Sequence, residues 1–153
     1  MKIAVGSDER THLTDVVIEE LQKRGHDLLL FGPLAENDPE VDWPLTSSKV
    51  AESVATHQAD EGIVFCWTGT GASIAANKVP GIRAALCHDA ETARGARVWN
   101  HANVLALSLR ATTEAIAKEI LDTWFTTPYS EDEWNRQQIE RIRQIEARQS
   151  GGE

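Results

Sequence analysis

A thiol and a glycine-rich turn stand together in the segment from Cys66 to Ser73, whose sequence is Cys-Trp-Thr-Gly-Thr-Gly-Ala-Ser. Gly69 and Gly71 allow the backbone to approach a ligand closely. The helix-like run that follows begins with unpaired N–H groups, which can hold an anion or the oxygen of an anionic intermediate. A thiol in such surroundings can serve as a base or a nucleophile. The alternative is a plain tight turn in which Cys66 is a small core residue.

The glycine-rich turn does not match the common nucleotide-binding motifs. No Gly-Lys-Ser/Thr follows it, and the dinucleotide pattern G-x-G-x-x-G fails because Ile74 occupies the third glycine position. The second cysteine, Cys87, ends a strand-like run without such a turn, and we interpret it as a buried core thiol. Two cysteines without paired spacing predict neither a disulfide framework nor a metal site.

Alternating strand-like and helix-like segments must position this turn. Apolar, β-prone runs cover residues 2–5, 27–31, 62–66, 81–87 and 102–108. Segments of helical period cover residues 11–24, 45–58, 72–78, 90–98, 112–125 and 131–148, and residues 32–44 are predicted to form a loop. This alternation predicts an α/β fold with parallel strands and with helices on both faces of the sheet.

Ligands bind beyond the carboxyl ends of the strands in such a sheet, which directs attention to the residues that follow each strand. Besides the Cys66 turn, these include Asp8, Glu9 and Arg10 after the first strand and Arg110 after the fifth. A carboxylate there can exchange protons with a substrate, and an arginine can hold an anion. Asp8 can equally serve as a helix cap, and Arg10 can equally be a solvated surface residue.

The composition predicts one globular domain. The chain has 153 residues, 41% of them hydrophobic, with 15 basic and 24 acidic side chains that give a net charge of −9. We assign residues 1–149 to the domain and residues 150–153 to a frayed tail. The acidic balance argues against nucleic acid as a partner, and no apolar run is long enough to span a membrane. No signal peptide pattern opens the chain, which predicts a cytoplasmic protein.

Several further motifs occur together along the chain. They are Asp8, Asp42-Trp43-Pro44, Cys66-x-Thr68-Gly69-x-Gly71, the run from Ser73 to Lys78, the run from Gly81 to Ala84, and Asn100-x-x-Asn103-Val104-Leu105-Ala106. In these motifs the chain resembles type B ribose-5-phosphate isomerases and the related galactose-6-phosphate isomerase subunits. The resemblance implies a three-layer α/β/α sandwich with a five-stranded parallel Rossmann-like sheet and a C-terminal helix. It also implies no cofactor, and a homodimer or dimer of dimers whose active sites lie between subunits.

The resemblance implies a reaction as well, the interconversion of aldose and ketose sugars, usually phosphorylated, through an enediolate. Cys66 would be the base that moves the proton between two carbons, with Thr68 aiding orientation. Asp8 would be the acid or base that helps to open the cyclic sugar. A proton next to a carbonyl is weakly acidic, so the base needs donors that stabilise the charge forming on oxygen. Backbone N–H groups of the turn can supply them, namely those of Gly69, Thr70, Gly71 and Ala72.

Other residues are implied as substrate contacts. Trp43 falls where an aromatic ring flanks the sugar, Asn100 falls at a hydrogen-bonding position, and Arg110 matches a phosphate-binding arginine. Three further aromatic residues map near the same site: Trp67, Trp99 and Trp134. They predict either a more apolar and enclosed pocket or packing in the core or at a subunit interface.

The chain departs from the family pattern at four positions. Glu9 stands where the family has a histidine after the first-strand aspartate, and Trp99 stands where it has a ring-opening histidine. In the last helix, Trp134 and Gln138 stand where it has arginines. These changes predict an altered phosphate and ring-opening site.

Other residues could restore the missing groups. His101 could supply the imidazole if its loop rotates, or it is an ordinary exposed histidine. Arg136 or Arg141 could supply the cation, but only with a changed helix register or a changed ligand. Glu9 would disfavour a thiolate at Cys66 through like-charge repulsion, or would itself act as an acid or base.

We therefore expect an isomerase that acts on a sugar or sugar phosphate other than, or in addition to, ribose 5-phosphate. Two alternatives stay open. The chain could be an ordinary ribose-5-phosphate isomerase with a rearranged phosphate site. It could also be a sugar-phosphate-binding partner subunit without catalysis of its own.

Overall fold

The computed structural model describes residues 1–151 and contains a five-stranded parallel sheet with the strand order β2-β1-β3-β5-β4. The strands are β1 (Lys2–Ser7), β2 (Asp27–Phe31), β3 (Glu61–Cys66), β4 (Ala84–Leu86) and β5 (Val104–Ser108). The helices are α1 (His12–Lys23), α2 (Trp43–Ala55), α3 (Thr70–Ala76), α4 (Ala90–Asn100), α5 (Glu114–Thr126) and α6 (Glu133–Ser150). The predicted α/β fold with its five-stranded parallel sheet is confirmed.

Two apolar clusters cover the two faces of the sheet and make three layers. On one face α1, α4 and α5 pack through residues such as Leu21, Ala93 and Trp124. On the other face α2 and α3 pack through residues such as Val50 and Ala76. This arrangement fits a parallel sheet, whose strands must be buried on both sides. No helix within residues 1–151 is long and apolar enough to cross a bilayer.

Most element boundaries differ from the predicted ones by a few residues, and two of these differences have a clear local cause. Helix α2 begins at Trp43 rather than Leu45, because Pro44 fits the first turn of a helix, where its missing N–H costs nothing. Strand β4 is shorter than predicted, since Gly81 adopts a φ of +85° and turns the chain before the strand. Helix α6 continues through Ser150, and Gly151 forms a turn. The predicted tail of residues 150–153 therefore starts too early, because Ser150 is helical, and residues 152 and 153 lie outside the described residues.

The strand order places a crevice at the carboxyl ends of β1 and β3. Strand β1 lies between β2 and β3. The connection after β1 therefore leads to one side of the sheet, whereas the connection after β2 leads back to the other side. Such a reversal opens a ligand-binding crevice in parallel α/β sheets. Ser7 pairs with Phe65, and Asp8 and Cys66 are the next residues on each side. The fold thereby brings two predicted catalytic residues to one edge.

Candidate active site

The thiol of Cys66 lies beneath the first turn of α3. The residue ends β3 and is 6% exposed. Its Sγ accepts a hydrogen bond from the N–H of Ala72 at 3.4 Å. The glycine-rich turn thus wraps around the sulfur and directs a backbone donor at it.

Gly69 is required by the shape of this turn. Its φ of +77° lies in the left-handed region, where a side chain is disfavoured. A Cβ atom at this position would lie 2.6 Å from Cδ1 of Leu86 and 2.9 Å from the carbonyl carbon of Leu107. The turn therefore packs directly on β4 and β5, which fixes its position relative to Cys66.

The indole of Trp43 covers the same turn from the opposite side. A Cβ atom at Gly71 would lie 3.0 Å from two carbons of that ring. Trp43 is the first residue of α2 and is 41% exposed, so one part of its side chain packs on the turn and the rest is exposed. The structure therefore places Trp43 beside the Cys66 turn.

Hydrogen bonds join the turn to the loop that follows β5. The carbonyl of Trp67 accepts from the hydroxyl of Ser108 at 3.1 Å and from the N–H of Arg110 at 3.0 Å. The hydroxyls of Thr68 and Thr70 lie 2.8 Å apart on the exposed side. Arg110 is exposed and so presents a cation at the same edge as the thiol. Ser108 is predicted only to lie among the residues at the carboxyl end of the fifth strand, and the fold shows that its hydroxyl bonds to the turn.

Asp8 has the electrostatic features of a proton-exchanging group. Its Oδ1 is buried without a hydrogen-bond partner in the described part of the chain. Burial raises the pKa of this carboxyl above its ordinary value, a backbone hydrogen bond opposes the rise, and the nearby charge of Glu9 adds to it. The hydroxyl of Ser7 fixes the following turn by donating to the carbonyl of Glu9 at 2.6 Å. The side chain of Glu9 itself is exposed.

Three predicted substrate contacts lie at the opposite edge of the sheet. Trp99, Asn100 and His101 end α4 just before β5 begins, so they stand at the amino edge. The five residues of β5 separate the two edges by roughly 16 Å at about 3.3 Å per residue. Within one chain, these residues do not meet Cys66.

His101 is held firmly in its own surroundings. Its ring stacks on that of Tyr129 at 4.6 Å with an interplanar angle of 6°. One ring nitrogen lies 2.9 Å from the carbonyl oxygen of Ser130. The loop rotation that would turn His101 into a replacement imidazole must break both contacts. Nothing in the sequence pattern marked Tyr129 as part of this arrangement.

His101 and Arg136 share one cleft of about 410 Å³ beside α6. Arg136 is exposed and lies 3.9 Å from the carboxylate of Glu131. Trp134, on the same helix, is 66% exposed. Arg141 donates a hydrogen bond to the side chain of Gln138. None of these α6 residues joins Cys66 within one chain, since α6 packs on α4.

Trp99 and Asn100 line a second and larger cleft, of about 750 Å³, between β4, α4 and α6, called here the α4/α6 cleft. The indole of Trp99 folds back over Gly95, where a Cβ atom would lie 2.8 Å from the ring. Ile142 and Ile145 line the same cleft. Trp67, at the carboxyl edge, is far from it, so one chain does not unite the three tryptophans in an enclosed pocket.

Cys87 and Arg10 lie outside the arrangement around Cys66. Burial raises the pKa of the Cys87 thiol to about 12, and the residue is 1% exposed, which confirms its interpretation as a core thiol. Within residues 1–151, no three histidine, cysteine, aspartate or glutamate side chains converge as a metal site would require. Arg10 is bound to Asp15 at 2.8 Å, so its guanidinium is engaged.

Comparison with known proteins gives a consistent result. The family model of ribose/galactose isomerases matches residues 3–145. The chain is 37% identical over 150 residues to ribose-5-phosphate isomerase B of Escherichia coli, covering 97% of this chain and 99% of that protein. It is 35% identical over 132 residues to D-erythrulose-4-phosphate isomerase of Pectobacterium atrosepticum, covering 84% and 85%.

A solved structure agrees with these sequence relatives. Ribose-5-phosphate isomerase B of Clostridium thermocellum superposes with a TM-score of 0.88 at 40% identity, covering 97% of this chain and 99% of that chain. The predicted resemblance is thereby confirmed in both sequence and fold. The chain belongs to the ribose/galactose isomerase family.

Proposed function

We propose that this chain is an aldose-ketose isomerase that converts a sugar phosphate through an enediolate, with Cys66 as the base. The observation that carries the proposal is the hydrogen bond from the N–H of Ala72 to Sγ of Cys66, beside a partnerless oxygen of Asp8. A sulfur so held can remove the proton from the carbon next to the substrate carbonyl. It then returns the proton to the neighbouring carbon, while the carbonyl and hydroxyl oxygens exchange roles.

The structure divides the donors of the turn into two groups. The N–H of Ala72 donates to the sulfur and fixes its position. The N–H groups of Thr70 and Gly71, in the first turn of α3, are left without intrahelical partners, as helix starts require. They are available to the enediolate oxygen, whose charge such donors stabilise.

Asp8 supports the opening of a cyclic sugar. A carboxyl whose pKa is raised keeps its proton to a higher pH than an ordinary aspartate. It can therefore donate to the ring oxygen as the ring opens and accept the proton again on closure. The exposed carboxylate of Glu9 stands next to it and can take the second proton of the same step.

A second copy of the chain would complete the site. Asn100 and His101 lie about one strand length away from Cys66, and Arg136 shares a cleft with His101, so these residues can reach the Cys66 thiol only of another subunit. The α4/α6 cleft supports this arrangement, since Trp99, Ile142 and Ile145 expose 50%, 37% and 54% of their surface there. Exposed apolar surface of this kind marks a protein interface. We therefore propose a homodimer or a dimer of dimers.

The residues that would bind the end of the substrate away from the reacting carbons differ from the family pattern. Trp99, Trp134 and Gln138 offer no cation where the resemblance implies histidine and arginines, and Arg10 is paired with Asp15. Arg110 is then the cation tied to the Cys66 turn, through the carbonyl of Trp67. We propose that it holds the phosphate, and that the chain accepts a sugar phosphate other than, or besides, ribose 5-phosphate.

A substrate panel tests the proposal. Purified protein is incubated with tetrose, pentose and hexose sugars, with their phosphates and with uronates, and exchange of the substrate carbon-bound proton with solvent is followed. We expect interconversion of at least one sugar phosphate and its loss in Cys66→Ala. The absence of any interconversion would overturn the proposal.

The same panel separates the alternatives. An ordinary ribose-5-phosphate isomerase, favoured by the 37% identity to the Escherichia coli protein, would turn over ribose 5-phosphate best and lose that turnover in Arg110→Ala. A non-catalytic partner subunit would show an obligatory second chain when its native mass is measured after purification from the source cell. The cytoplasmic location stays a prediction from the sequence.

A further inference from the structure

Four stacked side chains form a column that links the core to the turn carrying Asn100 and His101. Trp124 is fully buried at its base. The guanidinium carbon of Arg97 lies 4.9 Å from the centroid of the Trp124 ring and 4.5 Å from that of Tyr129. The ring of His101 stacks on Tyr129 at 4.6 Å. Each layer is an aromatic ring or a planar cation, so each fixes the tilt of the next.

A buried carboxylate anchors the column. Glu61 accepts from Nη2 of Arg97 at 2.9 Å and from the indole N–H of Trp124 at 2.6 Å. Burial raises the pKa of Glu61, whereas the charge of Arg97 and the Trp124 hydrogen bond lower it. A buried ion pair of this kind adds little net stability, but removing one partner strands a charge. Its contribution is therefore to hold Arg97 in one place.

The column holds the turn by its backbone. The carbonyl of Ala102 accepts from Nη1 of Arg97 at 2.7 Å and from the hydroxyl of Tyr129 at 3.0 Å. His101 has a φ of +48°, a left-handed conformation that costs energy outside glycine. Such a conformation persists only where the surroundings enforce it. Arg97 and Tyr129 are the groups that do so here.

We propose that Arg97 and Tyr129 are positioning residues, which hold Asn100 and His101 in the orientation that meets the substrate. This rests on the proposed function, in which these two residues complete the site of a second copy. Arg97 and Tyr129 do not touch the reacting atoms. They keep the turn ordered before the substrate binds, so that binding does not have to supply the free energy needed to order it.

Tyr129→Leu, compared with Phe125→Leu, tests the proposal. Phe125 contacts His26 at the same 4.6 Å between ring centroids and is half-buried like Tyr129, but it lies away from the turn. We expect Tyr129→Leu to raise KM about tenfold with kcat changed less than about twofold, because the loss is one of binding. Phe125→Leu leaves KM unchanged, and Tyr129→Phe, which keeps the stack but loses the hydroxyl that donates to the Ala102 carbonyl, restores only part of the affinity.

Amide hydrogen exchange gives a second reading that does not depend on activity. The N–H groups of residues 101–104 exchange about tenfold faster in Tyr129→Leu and not in Phe125→Leu, since only the first loosens the turn. Equal changes in KM and in exchange for both variants would overturn the positioning role. If the wild-type protein isomerises no sugar, the proposed function fails, and the exchange comparison still decides whether Tyr129 holds the turn.

Discussion

The two edges of the sheet are built in opposite ways. At the carboxyl edge, backbone shape determines the structure: Gly69 and Gly71 allow contacts that any Cβ would block, and polar groups such as Oδ1 of Asp8 lack partners. At the amino edge, side chains determine it: Glu61, Arg97 and Tyr129 bond to one another around a carbonyl, and Nε of Arg97 is left without a partner among the described residues. Unpaired polar groups are available to a substrate, whereas paired ones hold a shape. The first edge is suited to chemistry and the second to positioning.

Replacing the thiol at the carboxyl edge should cause the largest loss of activity. Cys66→Ala removes the base, and we expect the isomerisation rate to fall by about 10³-fold. Cys87→Ala is the matched control, since both cysteines are buried and end strand-like runs, and only Cys66 meets the turn. Steady-state kinetics of the two variants, together with their thermal unfolding, provide the measurement. Equal activity losses would mean that the effect of Cys66 is structural.

Adding one methyl group to the turn should show that backbone shape determines this edge. Gly69→Ala meets Leu86 and Leu107, whereas Gly25→Ala, at a φ of +79°, meets nothing within 4 Å. Both substitutions place an alanine at nearly the same positive φ, so the difference between them reports mainly the collision. We expect Gly69→Ala to lower the free energy of unfolding by about 1–3 kcal/mol more than Gly25→Ala does, measured by urea denaturation. A difference near zero would contradict the packing of the turn.

The unpaired carboxyl at the carboxyl edge should give the smallest effect. The raised pKa of Asp8 means that its charged form is disfavoured in the folded state, so stability falls as the pH rises through that pKa. Asp38 has the opposite sign, because bonds from the Gly32 N–H and from Lys49 lower its pKa to about 2. The stability conferred by Asp38 is full above pH 4 and is lost as the pH falls toward 2.

Unfolding curves at several pH values test the opposite pH dependences of stability expected for Asp8 and Asp38. Relative to wild type, Asp8→Asn should gain stability as the pH rises above 4. Asp38→Asn should instead lose stability relative to wild type as the pH rises from about 2 to 4, with no further change above 4. Asp8→Asn should also lower the turnover of cyclic sugars. Parallel pH profiles for both variants and the wild type would contradict the assignment of Asp8.

Local sequence patterns predicted the features that are determined by residues close together in the chain. Apolar periodicity located all five strands, and the glycine spacing around Cys66 located the turn. The contact between Trp43 and Gly71 was not predictable, because it depends on how α2 packs against α3. The column from Trp124 to His101 was also missed, since its members come from three separate segments and carry no shared motif. The resemblance named Asn100 as a substrate contact, but only the fold shows that it stands at the other edge.

In the proposed assembly, Cys66 of one copy and Asn100 of another form one site, and mixing variant subunits tests this arrangement. Cys66→Ala and Asn100→Ala are each expected to have greatly reduced activity. Mixed under conditions that exchange subunits, they should recover about a quarter of wild-type activity. Half of the dimers are then mixed, and each mixed dimer holds one intact site of its two. No recovery in a mixture whose exchange is verified by native mass would contradict the claim.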